Sequence, residues 1–210
     1  MIIPDYKVKN LLLKKQVKIS PYFDEFQGPN CYYCHLGDTF MIPKKGKEHI
    51  DIIQVKNSKK YFKTIKTNKS VKIDPGQFIL AETFECFGVS DKYILKLLNS
   101  SSLARWGIGQ AALGMINPGC GIKKPVKITL ELFNTFPKPI LLTPTIIKKN
   151  NDVVFGTECL KVVLEKIDSP PKKCYNNWEK AVYGNDYQVA SSKMKGRFKK
   201  IINLKDRIDN

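Results

Sequence analysis

The segment CYYCH at residues 31–35 combines two cysteines and a histidine at a spacing found in two kinds of site. Cys-x-x-Cys-His is the attachment pattern of c-type haem, and two cysteines at this spacing form half of many zinc sites. Haem attachment requires export, which nothing here indicates, and no second close Cys or His pair completes a zinc site. We therefore expect these thiols and aromatic rings to pack in the core as ordinary apolar groups.

Three further segments carry hydroxyl, guanidinium and carboxyl groups in a recognisable order. NSSSLARWG at residues 99–107 is followed by INPG at residues 116–119 and by ITLELFN at residues 128–134. In this order they resemble the nucleotide-site motifs of the dCTP deaminase branch of the dUTPase superfamily. Other segments similar to the family are QGPN (27–30), HLGDTF (35–40), DPGQFILAET (74–83) and the C-terminal stretch 175–191.

The resemblance covers nearly the whole chain and implies a fold and an assembly. The fold that it implies is all-β in the main: the distorted β-barrel of dUTPase and dCTP deaminase type, assembled as a homotrimer with sites between subunits. We expect this barrel, with a short N-terminal helix, over residues 1–194 and a basic C-terminal tail over residues 195–210.

Carried over position by position, the resemblance also assigns roles to single residues. Such a deaminase uses no metal to activate water; a glutamate moves protons between water, the ring nitrogen and the departing amine. Glu131 stands at the position of that glutamate. Hydroxyls, backbone amides and cations hold the phosphates in this family. The resemblance therefore implies that Ser101, Ser102, Arg105, Asn117 and Tyr175 bind the nucleotide. No metal site or cofactor is expected, apart from magnesium with a triphosphate if the site is functional.

Four positions depart from the family pattern, and three of them remove a cation. Ser100 and Met115 stand where the family pattern has arginines, Val182 where it has a lysine, and Asn117 where it has an aspartate. A neutral amide cannot act as a carboxylate base, which counts against dUTPase activity. Each charge-assisted bond to phosphate contributes about 1.5–3 kcal/mol, so three lost cations would weaken binding by several powers of ten. Lysines that could compensate by folding over the site are Lys123, Lys124 and Lys127.

Two functions stay open on these grounds. The depleted site and the basic charge favour a non-catalytic trimeric structural or binding protein, for which dCTP is a doubtful ligand. The alternative is an active dCTP deaminase that converts dCTP to dUTP. Glu131 could also be a surface residue of an alternating strand, although its apolar flanks favour descent from a functional site. Arg105 and Trp106 could brace a subunit interface instead of binding a ligand.

The remaining pattern predicts the elements that would position these residues. Asp5 can cap a short helix in which Val8, Leu11 and Leu12 share one face. Many short runs rich in β-branched and aromatic residues, separated by Pro, Gly or Asn, indicate a sandwich or closed barrel. The predicted strands are residues 50–55, 61–65, 78–84, 93–97, 126–133, 140–142 and 160–167. Residues 120–127 and 145–154 are predicted to be outward-pointing hairpin loops.

Charge and composition limit the partners and the location. The chain of 210 residues has 36 Lys+Arg against 19 Asp+Glu and a formal charge of +17, which favours nucleic acid or a larger assembly as partner. Among its lysine clusters are the pairs 44–45, 59–60, 148–149, 172–173 and 199–200, which are spread over predicted loops and the tail. No apolar run approaches the ~20 residues that cross a bilayer, and six scattered cysteines favour reduced thiols. We expect a cytoplasmic protein without a membrane partner; the Lys-, Asn- and Ile-rich composition, typical of an AT-rich genome, also suggests a viral source and a place within a virion.

Overall fold

A computed structural model describes residues 1–179, 181 and 188–193, and these residues are mainly β. The helices are α1 (Asp5–Leu13) and α2 (Ser101–Arg105), with 3-10 turns at Asp24–Phe26, Ser58–Tyr61 and Tyr175–Asn177. The strands are β1 (Val17–Ser20), β2 (Tyr32–Pro43), β3 (Phe62–Lys66), β4 (Val71–Ile73), β5 (Phe78–Val89), β6 (Tyr93–Asn99), β7 (Ile108–Gln110), β8 (Met115–Ile116), β9 (Val126–Asn134), β10 (Ile140–Leu142), β11 (Ile146–Ile147), β12 (Val153–Val154) and β13 (Glu158–Lys166).

Nine of these strands form one sheet that curls into a half-barrel. Its main path runs β7-β9-β5-β2-β13-β6-β8, while β1 pairs with β5 and β3 pairs with β2. The register between β2 and β5, and that between β5 and β9, shifts at an irregularity in each ladder. Such irregularities bend strands and increase their twist, which is how a sheet closes around a core. The predicted mainly β, distorted barrel is confirmed.

Strand β9 has the clearest basis in the sequence, because apolar and other side chains alternate along it. The buried positions are Val126, Ile128, Leu130 and Leu132. The half-buried positions on the opposite face are Lys127, Thr129, Glu131 and Phe133. At the end of the strand, the buried Asn134 amide donates to the carbonyls of Ile73 and Lys138 at 2.9 and 3.0 Å. Pairing with β5 on one side and β7 on the other fixes which face points outward.

Helix α1 covers the predicted residues but begins differently from the prediction. Val8 is buried, and Leu11 and Leu12 pack against the core, as expected. Asp5 is the first helical residue and not the cap; Pro4 precedes the helix, and no side chain caps it. The Asp5 carboxylate therefore interacts favourably with the helix dipole instead of satisfying an end amide.

The cysteine-rich segment opens strand β2 and belongs to the core, as predicted. Tyr32 and Cys34 are 2% and 0% exposed. Burial raises the pKa of the Cys34 thiol well above its ordinary value, so the thiol stays protonated and packs as an apolar group. The ring of the buried His35 lies 3.1 Å from the Glu85 carboxylate. In the part of the chain that the structure describes, no three metal-ligating side chains cluster together.

The predictions for three other segments have different outcomes. Residues 145–154 contain an outward hairpin, in which β11 pairs with β12, as predicted. Residues 50–55 form no strand; the Asp51 carbonyl accepts hydrogen bonds from Gln54 and Val55 in a turn, and Ile52 is 59% exposed. Strand preference depends on packing against neighbouring strands, and this run of β-branched residues lies in a loop on the surface. Residues 120–127 are not the predicted outward hairpin: Cys120 is buried, Gly121 pairs with Val89, and the flanking β8 and β9 do not pair with each other.

The predicted boundary at residue 194 cannot be compared with the fold. The basic tail over residues 195–210, the lysine pair 199–200 and Val182 lie outside the described residues. The division of the chain into a barrel and a tail therefore stays a prediction.

Candidate active site

A cavity of about 850 Å³ lies against the outer face of β9. Its volume falls within the range of small-molecule sites. Three of the predicted site residues line it: Glu131, Asn117 and Tyr175. The other lining residues are Phe62, Phe78, Leu80, Leu97, Gln110, Ala112, Gly114, Met115, Ile116, Cys120, Val126, Lys127, Ile128, Thr129, Trp178, Ala190 and Ser192.

Glu131 supplies the one carboxyl group among the described residues of this lining. Its backbone is fixed by pairing with Leu80 of β5, and its carbonyl accepts the N–H of Ala111 at 2.8 Å. Burial raises the pKa of the Glu131 carboxyl above its ordinary value. A carboxyl group with a raised pKa exchanges its proton more readily near neutral pH, which suits it to general acid–base catalysis.

A tight turn brings Asn117 and Tyr175 to the same end of the cavity. The Asn117 carbonyl accepts the N–H of Cys120 at 3.0 Å, and the Tyr175 N–H donates to the carbonyl of Pro118 at 2.8 Å. Gly119 within this turn has a φ of +82°, and a Cβ there would lie 2.7 Å from the Asn176 side chain. Glycine is therefore required both by the backbone conformation and by the close approach of the C-terminal segment.

The serine motif lies outside this cavity. Ser101, Ser102 and Arg105 form the short helix α2, are exposed, and are not among the residues that line the cavity of their own chain. Trp106, which follows, is 59% exposed and packs edge-on against Phe136 at a ring distance of 5.8 Å. A single chain therefore brings together only part of the predicted nucleotide site.

Ser100 has a structural role that the sequence did not reveal. Only 2% of its surface is exposed, and its hydroxyl donates to the Glu158 carboxylate at 2.7 Å. The same oxygen accepts the N–H of Leu103 and caps helix α2. The residue at this position therefore holds the helix in place and does not leave an empty space for a phosphate.

The other replaced position and one of the three nearby lysines line the cavity, whereas two of these lysines do not. Met115 lines the cavity and is 51% exposed, so an apolar side chain faces the site where the resemblance implies a cation. Lys127 also lines the cavity, but its ammonium group lies 2.6 Å from the Glu82 carboxylate. Lys123 and Lys124 are not among the lining residues. Of the three lysines expected to compensate, one reaches the cavity, and it is already paired.

Several lining residues were not predicted from the sequence. Thr129 and Lys127 lie two and four residues before Glu131 on the same strand face, so the alternation of β9 could have identified them. Gln110 donates to the carbonyl of Cys159 at 3.3 Å while it lines the cavity, and Trp178 packs against Tyr175. Nothing local in the sequence marks Gln110 or Trp178, because their place depends on how β7 and the C-terminal segment meet β9.

The basic side chains lie on the surface around the barrel. Both members of each lysine pair at 44–45, 59–60, 148–149 and 172–173 are exposed. Among the described helices, none combines the length and the apolar composition needed to cross a bilayer. A nucleic-acid partner, a larger assembly and a place in a virion stay predictions.

Comparison with known proteins identifies the family. The model of the dCTP deaminase-like family matches residues 2–147. A dUMP-forming dCTP deaminase of Nanoarchaeum equitans is 32% identical over 162 residues, which cover 69% of this chain and 79% of that protein. A dUMP-forming dCTP deaminase of Corynebacterium jeikeium is 30% identical over 146 residues, covering 69% and 76%. The solved 2'-deoxycytidine 5'-triphosphate deaminase of Agrobacterium tumefaciens has a TM-score of 0.55 and 14% identity, over 79% of this chain and 48% of that longer chain, and shows the fold.

The chain belongs to the dCTP deaminase-like family. The preference for a non-catalytic protein, which was drawn from the replaced residues, is wrong. The matched relatives are dCTP deaminases, and the similarity covers 76% and 79% of their length. The error came from giving weight to lost phosphate contacts alone. Those replacements leave the carboxyl group of Glu131 in a cavity of suitable size.

Proposed function

We propose that this member of the dCTP deaminase-like family is an active enzyme that hydrolyses dCTP to dUTP and ammonia. One observation of the structure supports the proposal most directly: Glu131, with a pKa raised by burial, lines a cavity of about 850 Å³. The names of the matched relatives support the choice of dCTP as substrate.

The proposed reaction needs one group that takes a proton from water and returns it to the leaving amine. Water attacks C4 of the cytosine ring, protons pass to N3 and to the exocyclic amine, and cleavage of the C–N bond releases ammonia. Glu131 can perform these transfers in turn, first as base and then as acid. The apolar lining side chains near it, among them Leu80 and Ile128, limit the access of water to the reacting ring.

The phosphates of dCTP need hydroxyl and cationic groups, and the serine motif does not lie in the cavity of its own chain. The exposed Ser101, Ser102 and Arg105 carry the hydroxyls and the guanidinium that suit a triphosphate. We infer that they reach the cavity of a neighbouring copy in a homotrimer, so that each site is completed by two chains. Magnesium would enter with the triphosphate as part of the substrate.

The product is proposed to be dUTP and not dUMP, in contrast to the names of the matched relatives. Asn117 lines the cavity where the resemblance implies an aspartate, and its neutral amide cannot accept a proton from a second water molecule. Among the described residues, the cavity lining then offers one acid–base carboxyl group, which the deamination step uses.

The experiment that tests this function is ammonia release from dCTP and magnesium by the purified protein and by Glu131→Gln. The amide keeps the shape of the side chain but removes the titrating group, so we expect a loss of about 100-fold or more in kcat. Glu25→Gln, an exposed glutamate outside the cavity, is the matched control and should leave the rate unchanged. Absence of ammonia release by the unmodified protein, or equal rates in Glu131→Gln, would show that the proposed function is wrong.

A further inference from the structure

The segment formed by residues 188–193, here called the C-terminal strap, lies across the outer face of β5 and β9. Side chains hold its backbone: the Val189 N–H donates to Glu82 Oε2 at 2.8 Å, and the Ala190 N–H donates to Thr129 Oγ1 at 3.1 Å. Farther along, the Ser58 hydroxyl donates to the Ser192 carbonyl at 2.5 Å. The strap is thus attached by single hydrogen bonds to side chains and not by a strand ladder.

Glu82 is the most deeply buried of these attachment points. It is 1% exposed, and each of its two carboxylate oxygens has a partner. Oε1 lies 2.6 Å from the Lys127 ammonium, and Oε2 accepts the Val189 N–H. A carboxylate in such a place is costly unless it is paired and hydrogen-bonded, so the strap and Lys127 together satisfy a group that neither could satisfy alone.

The strap also forms part of the wall of the cavity that contains Glu131. Ala190 and Ser192 line that cavity, and Thr129, which holds Ala190, lies two residues from Glu131 on the same strand face. Val189 is buried in a small apolar cluster with Met41 and Leu80. Movement of the strap would therefore remove one wall of the site next to the acid–base residue.

We propose that Glu82 is a positioning residue for the deaminase reaction: paired with Lys127, it fastens the C-terminal strap against β5 and β9 and so sets the wall of the nucleotide cavity. This inference rests on the proposed function. Glu82 does not line the cavity and acts through the strap, whereas Glu131 acts on the substrate.

The variant that tests the inference is Glu82→Gln. Its amide keeps an oxygen in one of the two carboxylate positions and has an NH2 donor in the other, so either the Lys127 ammonium or the Val189 N–H loses its acceptor. A hydrogen bond to a charged group contributes roughly 1.5–3 kcal/mol, which corresponds to about tenfold to hundredfold faster hydrogen exchange at Val189 and Ala190. We expect KM for dCTP to rise about tenfold, because the wall is present for a smaller fraction of the time. The kcat value should change much less, because Glu131 stays in place.

A second variant distinguishes positioning from a general loss of stability. In Glu82→Gln combined with Lys127→Met, no ammonium competes for the amide oxygen, so the oxygen can accept the Val189 N–H again. We expect slow exchange in the strap to return in this double variant; KM is not a readout of the strap in this variant, because Lys127 itself lines the cavity. A purely structural ion pair would leave it no better than either single variant.

The matched control is Glu165→Gln, which breaks another glutamate–lysine pair away from the strap. Glu165 lies 2.5 Å from Lys96 on the neighbouring strand β6 and does not line the cavity. This control should alter neither strap exchange nor KM. Unchanged exchange at residues 188–193 in Glu82→Gln would overturn the inference, as would faster exchange with an unchanged KM. If the unmodified protein does not deaminate dCTP, the role in catalysis fails with the proposed function, while hydrogen exchange still shows whether Glu82 fastens the strap.

Discussion

The two halves of the proposed nucleotide site are built in different ways. The acid–base half lies on β9, a strand paired on both sides, where Glu131 is half-buried and faces a cavity formed by its own chain. The phosphate-binding half, Ser101, Ser102 and Arg105, lies on a helix of five residues and is exposed. A paired strand can fix one carboxyl group without help, whereas the short exposed helix is proposed to complete a binding site in a neighbouring chain.

The largest expected effect concerns how many acid–base groups the first half contains. Asn117→Asp would add a second carboxylate to the cavity lining. A positioned general base contributes about 100-fold or more to a rate, so we expect dUMP to appear as a product at a correspondingly higher rate. Separation of dUTP, dUMP and pyrophosphate by ion-exchange chromatography measures this change. Asn30→Asp, an exposed asparagine outside the cavity, is the control. Abundant dUMP from the unmodified protein would show that a base other than residue 117 is present.

The second prediction tests whether the two halves come from different chains. Ser101→Ala with Arg105→Ala removes two phosphate contacts and should lower kcat/KM by about 100-fold or more, since each contact contributes about 1.5–3 kcal/mol. In a trimer with head-to-tail contacts, each site would take Glu131 from one chain and the serine motif from its neighbour. Co-expression of this variant with Glu131→Gln should therefore restore roughly a quarter of the sites, namely those that combine the intact half of each variant. No restoration would mean that each chain builds its whole site. Light scattering that gives a 24.0 kDa monomer would contradict the trimer directly.

The third prediction uses the raised pKa of Glu131. The ionised carboxylate is the base, so kcat/KM should fall by about tenfold per pH unit below that pKa, and this acid limb should lie at higher pH than for an ordinary glutamate. An acid limb at or below the ordinary glutamate range would contradict the assignment.

The same pKa shift has a consequence for stability. Because the folded-state pKa of this carboxyl is raised, ionisation opposes folding; the penalty is absent below the unfolded pKa and complete above the folded pKa. Glu131→Gln removes the penalty, so the variant should melt at least as high as the unmodified protein at pH 8. This advantage should disappear as pH falls below the unfolded pKa, which thermal melts across the range would show.

The sequence predicts the acid–base half better than the phosphate half, for physical reasons. Alternation along β9 is a local pattern, and it predicts both the strand and the face of Glu131. The turn that contains Asn117 also has a local signal, because Pro118 and Gly119 favour a turn. The exposed position of Ser101 and Ser102 outside the cavity depends on how α2 packs on the rest of the chain, which no local pattern records.

The role of Glu82 and the structure of residues 50–55 show what residue types alone cannot predict. Glu82 lies within a long, mostly apolar strand, and its partners Lys127 and Val189 are 45 and 107 residues away. Residues 50–55 have the composition of a strand, yet they lie in an exposed turn. In both segments, long-range contacts decide the outcome: a carboxylate is kept in the core by distant partners, and a β-branched run lacks them.

The smallest effect is expected at Ser100, the residue that caps α2. Ser100→Ala removes the hydroxyl that donates to Glu158 and caps α2, so the free energy of unfolding should fall by about 1 kcal/mol. Chemical denaturation measures this loss, and Ser169→Ala, at an exposed position, is the control. Because α2 carries Ser101 and Arg105, a frayed helix should also raise KM for dCTP slightly while kcat stays the same.

Ser100→Arg should cost more stability than Ser100→Ala, since a guanidinium would have to fit at a position where only 2% of the residue surface is exposed. A gain in dCTP affinity in Ser100→Arg, without loss of stability, would show that the phosphate half tolerates the arginine of the family pattern and that the serine cap is dispensable.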